Sequence, residues 1–156
     1  MLDLIEFPAR SGSGVLPVAN RAMSLDGILT AIGNTPLIRL RRALGEVDFQ
    51  LYGKLESLNP AGSVKDRPAV EILRQAWEEG VIGPGTVVVE SSSGNMGIGL
   101  AQVCTCLGLR FICVVDPRAE QQNLRILKAY GVEVDLVAEP DPATGEFLQA
   151  RLARVQ

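Results

Sequence analysis

Histidine is absent from the 156 residues. That removes the commonest metal ligand and the commonest general base, so acid–base chemistry falls to Lys, Asp, Glu or Tyr. Aromatics make up 4%, too few for a base-stacking platform, and the net charge of -3 gives no electrostatic reason to bind nucleic acid or an anionic membrane. No apolar run is long enough to span a bilayer. The opening "MLDLIEFPARSGSG" carries acids and a proline where a signal peptide needs a basic start and an apolar run, so a cytoplasmic location is expected. The three cysteines, Cys104, Cys106 and Cys113, all lie in apolar runs and read as buried free thiols in a reducing compartment. No metal site is expected.

What is present is ordinary globular material, 47% hydrophobic and 21% charged, in a chain long enough for one real core. Residues 1 to 23 read as a loose leader, with Ser11-Gly12-Ser13-Gly14 linker-like. Ser24 can cap a short helix through Ile32 that Gly33-Asn34 ends. "TPLIRL" and "DFQLYGKLE" read as strands. From there helices and strands alternate: a helix from about Arg67 to Glu79 stopping at Gly80, the strand "TVVVE", a helix from Asn95 to Leu107 ended by Gly108, the strand "LRFICVV", the helix "QQNLRILKAY" ended by Gly131, the strand "VEVDLV", and a last helix in "GEFLQARLARVQ". That alternation implies right-handed βαβ crossovers and a mostly parallel sheet in a three-layer α/β fold.

Two stretches carry chemistry. In "NPAGSVKDRPA", Asn59 to Ala69, Pro68 belongs in a helix's first turn, which puts the N-cap near Asp66 and Lys65 just before the helix. Gly62 and Ser63 favour a tight turn before it. The positive end of a helix is a poor place for a cation, and an uncharged amine is a nucleophile that can form a Schiff base with an aldehyde. The bland reading of Lys65 is an exposed lysine at a helix start. In "ESSSGNMGIGLA", Glu90 to Ala101, a buried strand meets a helix through Ser91, Ser92, Ser93, Gly94 and Asn95, whose hydroxyls and N–H groups can bind a carboxylate or phosphate. The glycines at 94, 97 and 99 run G-x-x-G-x-G rather than G-x-G-x-x-G, so a nicotinamide cofactor is disfavoured.

Together, "NPAGSVKDR", "SSSGN" and the earlier "IGNTPLIRL" (Ile32 to Leu40) resemble the fold-type II pyridoxal phosphate enzymes, the cysteine synthase and cystathionine β-synthase family. "CVVDP", "NLRILKAYGVEV" and "EPDPATGEFLQARLARVQ" look most like the siderophore-type synthases of 2,3-diaminopropionate biosynthesis, which join O-phospho-L-serine to L-glutamate. The resemblance implies pyridoxal 5'-phosphate as cofactor and β-replacement as reaction. It implies that Lys65 is the Schiff-base lysine and proton mover, and that Asn95 meets the cofactor's ring hydroxyl. Ser92, Ser93, Gly94 and Asn95 would hold the substrate carboxylate. Arg151 is a candidate for an anionic substrate group, against a solvated helix face. Sulfide as nucleophile, making a cysteine synthase, and a non-catalytic binding module stay open as alternatives.

Members of that family are about twice this length, so the chain resembles an N-terminal half. The implied layout is a leader over 1–23, first elements of a larger domain over 24–45, a small α/β domain over 46–140 and a return toward the larger domain over 141–156. The implied partners are small amino-acid substrates, a second copy in a full-length homodimer, and a separate C-terminal half.

Overall fold

A computed structural model describes Met23, residues 25–41, Gly45 and residues 47–156. Apart from Met23, which is buried, the expected leader and the Ser24 cap lie outside the described residues. The helix expected up to Ile32 is a single 3-10 turn, Gly27–Ala31. Gly27 sits at φ +53, in the left-handed region, so no right-handed helix runs back through it. As expected, Gly33 and Asn34, both at positive φ, end the turn.

The first two strands are short. β1 (Leu37–Arg39) pairs antiparallel with β2 (Tyr52–Lys54), with Leu37 opposite Lys54 and Arg39 opposite Tyr52. This pairing joins residues on either side of the 45/46 boundary. α1 spans Asp66–Glu78 and begins one residue earlier than expected, with Lys65 itself at the N-cap. Pro68 tolerates any place in the first turn, so it does not fix which residue starts the helix.

β3 (Val87–Glu90), β4 (Arg110–Val115) and β5 (Glu133–Leu136) form a parallel sheet in that order. α2 (Asn95–Leu107) joins the first pair and α3 (Gln121–Ala129) the second. α2 ends where Gly108 turns left-handed at φ 67. The β-branched runs suit strands covered on both faces, and alternation decides which residue goes where. Val88, Phe111, Cys113, Val115 and Val134 face one core with Leu73 of α1, Leu100 and Val103 of α2 and Leu127 of α3. Val87, Val89, Ile112 and Val114 face the other way, where α4 (Phe147–Val155) lays Val155 against them. Helices on both faces make the expected three layers. Leu73, Leu100 and Leu127 are fully buried, each stabilising the fold by roughly 1.5–3 kcal/mol relative to exposure.

The cysteines are free, and two of the three follow expectation: Cys104 and Cys113 are buried, but Cys106 is exposed. Two positions apart on one helix, Cys104 and Cys106 cannot share a face. Burial pushes the Cys104 thiol up to about 12 and that of Cys113 up to about 11.

Candidate active site

The loop before α1 is tied down from its first residue. Asn59 is 3% exposed. Its Oδ1 accepts the Gly33 N–H at 2.9 Å, and its Nδ2 donates to Glu56 Oε2 at 2.7 Å, the Glu56 carbonyl at 2.8 Å and the Ser63 carbonyl at 3.0 Å. Gly62, at φ +86, makes the tight turn and donates its N–H to the Asn59 carbonyl at 2.8 Å. Asp66 is fully buried, and its Oδ2 accepts the Ala61 N–H at 2.6 Å. Burial pushes the Asp66 carboxyl above its ordinary value. Ser63 Oγ accepts the Lys65 N–H at 3.1 Å. Lys65 therefore has a fixed backbone and an exposed side chain, at a helix N-cap.

A polar node backs this loop. Arg67 donates to Glu56 through Nε at 2.8 Å and Nη2 at 3.0 Å, and Thr35 Oγ1 donates to Glu56 Oε1 at 2.9 Å. Lys54 Nζ donates to the Thr35 carbonyl. The Arg67 guanidinium beside Glu56 holds its carboxyl at about 2, against an ordinary 4.5. A depressed carboxylate contributes stability above its unfolded value that is lost as pH falls toward its folded one. Glu56 should thus add an acid limb to the stability curve between about pH 4.5 and 2. Asp66 runs the other way: its contribution is present below 3.8 and lost as pH rises through its raised folded value. Urea midpoints measured against pH should fall less steeply below pH 4.5 in Glu56→Gln than in the parent. Parallel acid limbs would exclude Glu56 as their source.

The second stretch connects β3 to α2. Gly94 is the N-cap, in extended conformation, and offers no side-chain cap. The cap comes from two residues earlier: Ser92 Oγ accepts the Gly97 N–H at 3.1 Å. While accepting that bond, the Ser92 hydroxyl keeps its proton to donate. The N–H groups of Asn95 and Met96 have no intrahelical acceptor, and the positive end of the helix lies beside them. Ser91 Oγ is buried without a hydrogen-bond partner among the described residues.

Gly99 brings the two stretches together. A Cβ there would stand 3.0 Å from Ala69 Cβ and 3.1 Å from the Lys65 carbonyl oxygen, so α2 lies against the start of α1 at this point. Asn95 is four residues before Gly99, on the same face and one turn of about 5.4 Å away. Lys65, Asn95 and the Ser92–Gly94 loop thus share one end of the α1–α2 pair.

Arg151 comes from a third element. On α4, its side chain is 13% exposed and its Nε lies 3.2 Å from Asp116 Oδ2, at an angle that makes no hydrogen bond. It does not lie on a solvated helix face, and its charge is felt at Cys113, whose thiol donates to the Ser92 carbonyl. Arg118 also pairs with Asp116, at 3.1 Å, and holds its carboxyl below the ordinary range. Sequence reasoning passed over Asn59, Glu56 and Thr35. The turn-forming Asn-Pro pair was the one local signal for Asn59. A cleft of about 510 Å³ lined by Arg39, Leu40, Val47, Phe49 and Leu51 includes none of the site residues. Among the described residues, no group of three or more His, Cys, Asp or Glu is placed to hold a metal ion, and no helix is long and apolar enough to cross a membrane.

The chain is similar to known proteins in sequence and fold. The N-(2-amino-2-carboxyethyl)-L-glutamate synthase of Cupriavidus metallidurans is 49% identical over 134 residues, 86% of this chain and 39% of that protein. The crystal structure of O-ureido-L-serine synthase matches with a TM-score of 0.70 at 35% identity, covering 85% of this chain and 42% of its own. Cysteine synthase from Entamoeba histolytica matches with a TM-score of 0.72 at 30% identity, covering 92% and 42% respectively. The chain spans about two fifths of the length of these relatives. The family model described as "Pyridoxal-phosphate dependent enzyme" matches residues 28–155, a stretch that takes in both loops, and this chain belongs to that family.

Proposed function

We propose that this chain carries the lysine and the carboxylate-binding loop of a β-replacement site acting on an O-activated L-serine. O-phospho-L-serine is the first choice of substrate and L-glutamate the first choice of nucleophile, in a 2,3-diaminopropionate or siderophore-type biosynthesis. The observation that carries the reading is the fixed backbone and exposed side chain of Lys65, whose carbonyl lies against Gly99, itself one turn of α2 from Asn95. The names of the relatives support it: one is a synthase of an aminocarboxyethyl-glutamate, another a synthase of an O-substituted serine.

The residues fit pyridoxal phosphate on two counts. Lys65 presents a primary amine on a fixed support, and the buried Ser91 hydroxyl beside the loop still lacks a partner. Bound there, the cofactor supplies a sink for the electron pair left when a proton leaves the amino acid's Cα. Lys65 would hold it, with the Asn95 side chain alongside. Lys65 Nζ would be the base that takes the Cα proton. The Ser92 hydroxyl and the amides of Ser93, Gly94 and Asn95 hold the α-carboxylate and so orient the Cα–H bond toward Lys65. Loss of the group on Cβ and addition of an amine there complete the replacement. Arg151, which pairs with Asp116 through Nε, would meet an anionic substrate group through its other guanidinium nitrogens.

The likeness to cysteine synthase favours sulfide as a second nucleophile. Product assays with glutamate and with sulfide separate the two. The site itself is tested by the visible spectrum of the chain with pyridoxal phosphate. A band that survives dialysis is expected in the parent and not in Lys65→Ala. A parent with no such band, or a variant that keeps it, overturns the reading.

A further inference from the structure

The loop proposed to hold the carboxylate is shaped from outside itself. Two consecutive carbonyls are taken: that of Ser92 by the Cys113 thiol of β4 at 2.8 Å, and that of Ser93 by Asn123 Nδ2 of α3 at 3.0 Å. A trans peptide sends its C=O and the following N–H in opposite directions. With these carbonyls turned to Cys113 and Asn123, the amides of Ser93 and Gly94 point away from both. Neither tie is needed to cap α2, because the Ser92 hydroxyl already serves Gly97. The Asn123 contact reaches across 30 residues and acts on the Ser93–Gly94 peptide plane.

We propose that Asn123 is a positioning residue. By holding the Ser93 carbonyl it aims the Gly94 amide at a ligand carboxylate, and so makes the loop select amino acids over amines that lack the carboxylate. This rests on the functional reading above. It adds a residue outside both loops and a cause for selectivity. Free to rotate, the Ser93–Gly94 peptide would turn either its N–H or its C=O toward an incoming anion. Only the first attracts a carboxylate, and the tie to Asn123 keeps the second turned away. Cys113 does the same for the preceding peptide, but its side chain is fully buried in the core, so replacing it would disturb packing as well. Asn123 is half-buried in the first turn of α3, where alanine suits a helix.

The test is an amide-resolved NMR titration of the full chain with O-phospho-L-serine and with O-phosphoethanolamine, which lacks only the carboxylate. In the parent, the Gly94 and Ser93 amides should shift with the first and far less with the second. In Asn123→Ala, affinity for O-phospho-L-serine should weaken roughly tenfold, the loss of one hydrogen bond to a charged group, while that for O-phosphoethanolamine stays unchanged. Asn123→Asp, which cannot donate to the Ser93 carbonyl, should behave like Asn123→Ala. Asn123→Gln keeps the donor and should recover part of the preference. Equal preference in the parent and Asn123→Ala overturns the proposal, as do parent amides that ignore the carboxylate. The cofactor spectrum of the same samples reads the Lys65 assignment separately. A normal Lys65 band with unchanged selectivity counts against Asn123 alone.

Discussion

Gly97→Ala should destabilise the chain by about 2 kcal/mol, a drop of roughly 4–8 °C in thermal midpoint for a chain of this size. Helix propensity predicts the opposite sign, since alanine gains up to about 1 kcal/mol over glycine in a helix. The contacts decide the matter. A Cβ at Gly97 would lie 2.3 Å from the Ser92 carbonyl oxygen and 3.3 Å from Cys113 Sγ. The closer atom is backbone, so it cannot swing aside as a side-chain tip would. Making room means moving Ser92, which breaks its carbonyl's bond to Cys113 and its hydroxyl's bond to the residue-97 amide. Gly83 is the control: a Cβ there meets nothing within 4 Å, and Gly83→Ala should stay within about 0.5 kcal/mol of the parent. Because the same carbonyl sets the loop, Gly97→Ala should also lose the response of the Gly94 amide to O-phospho-L-serine. Equal thermal midpoints for the two variants would mean that the loop yields without loss.

Local pattern explains which parts were legible in the sequence. α2 was read to its observed bounds because a serine-glycine turn opens it and Gly108 closes it. The strands stood out because buried parallel strands need β-branched runs. The turn near Gly27 was misread because a cap residue and a closing Gly-Asn pair say nothing about the φ of a glycine between them. Cys106 was misread for a related reason: an apolar run does not state which face is covered. At the site, Lys65 and the Ser92–Asn95 stretch were visible because each is contiguous. Their supports were not, because they pair across long separations. Thr35 meets Glu56 across 21 residues and Arg67 across 32. No local period encodes such pairs; folding brings them together.

Asn59 is where that hidden support should tell most. Asn59→Ala should cost about 3 kcal/mol, roughly 6–12 °C, because it removes the partner of several part-buried groups at once. The Gly33 N–H and the Ser63 carbonyl both lose their Asn59 partner. The Glu56 carboxylate loses one donor but keeps Arg67 and Thr35. The loss at Ser63 matters for chemistry, because Ser63 in turn takes the Lys65 N–H. Releasing it frees the loop that fixes the lysine, so pyridoxal phosphate should dissociate faster even well below the unfolding transition. Asn59→Asp separates the acceptor from the donors: it can still accept from Gly33 but donates nothing, and it sets a second carboxylate against Glu56. At neutral pH it should be no better than Asn59→Ala. The decisive measurement is the cofactor's dissociation rate at about 10 °C, where parent and variant are both folded. A lowered midpoint with an unchanged rate would make Asn59 a strut of the fold alone, and the lysine's position would then depend on Asp66 and the packing against Gly99. A faster rate would show that the same hydrogen bonds that hold the loop also keep the amine where the chemistry needs it.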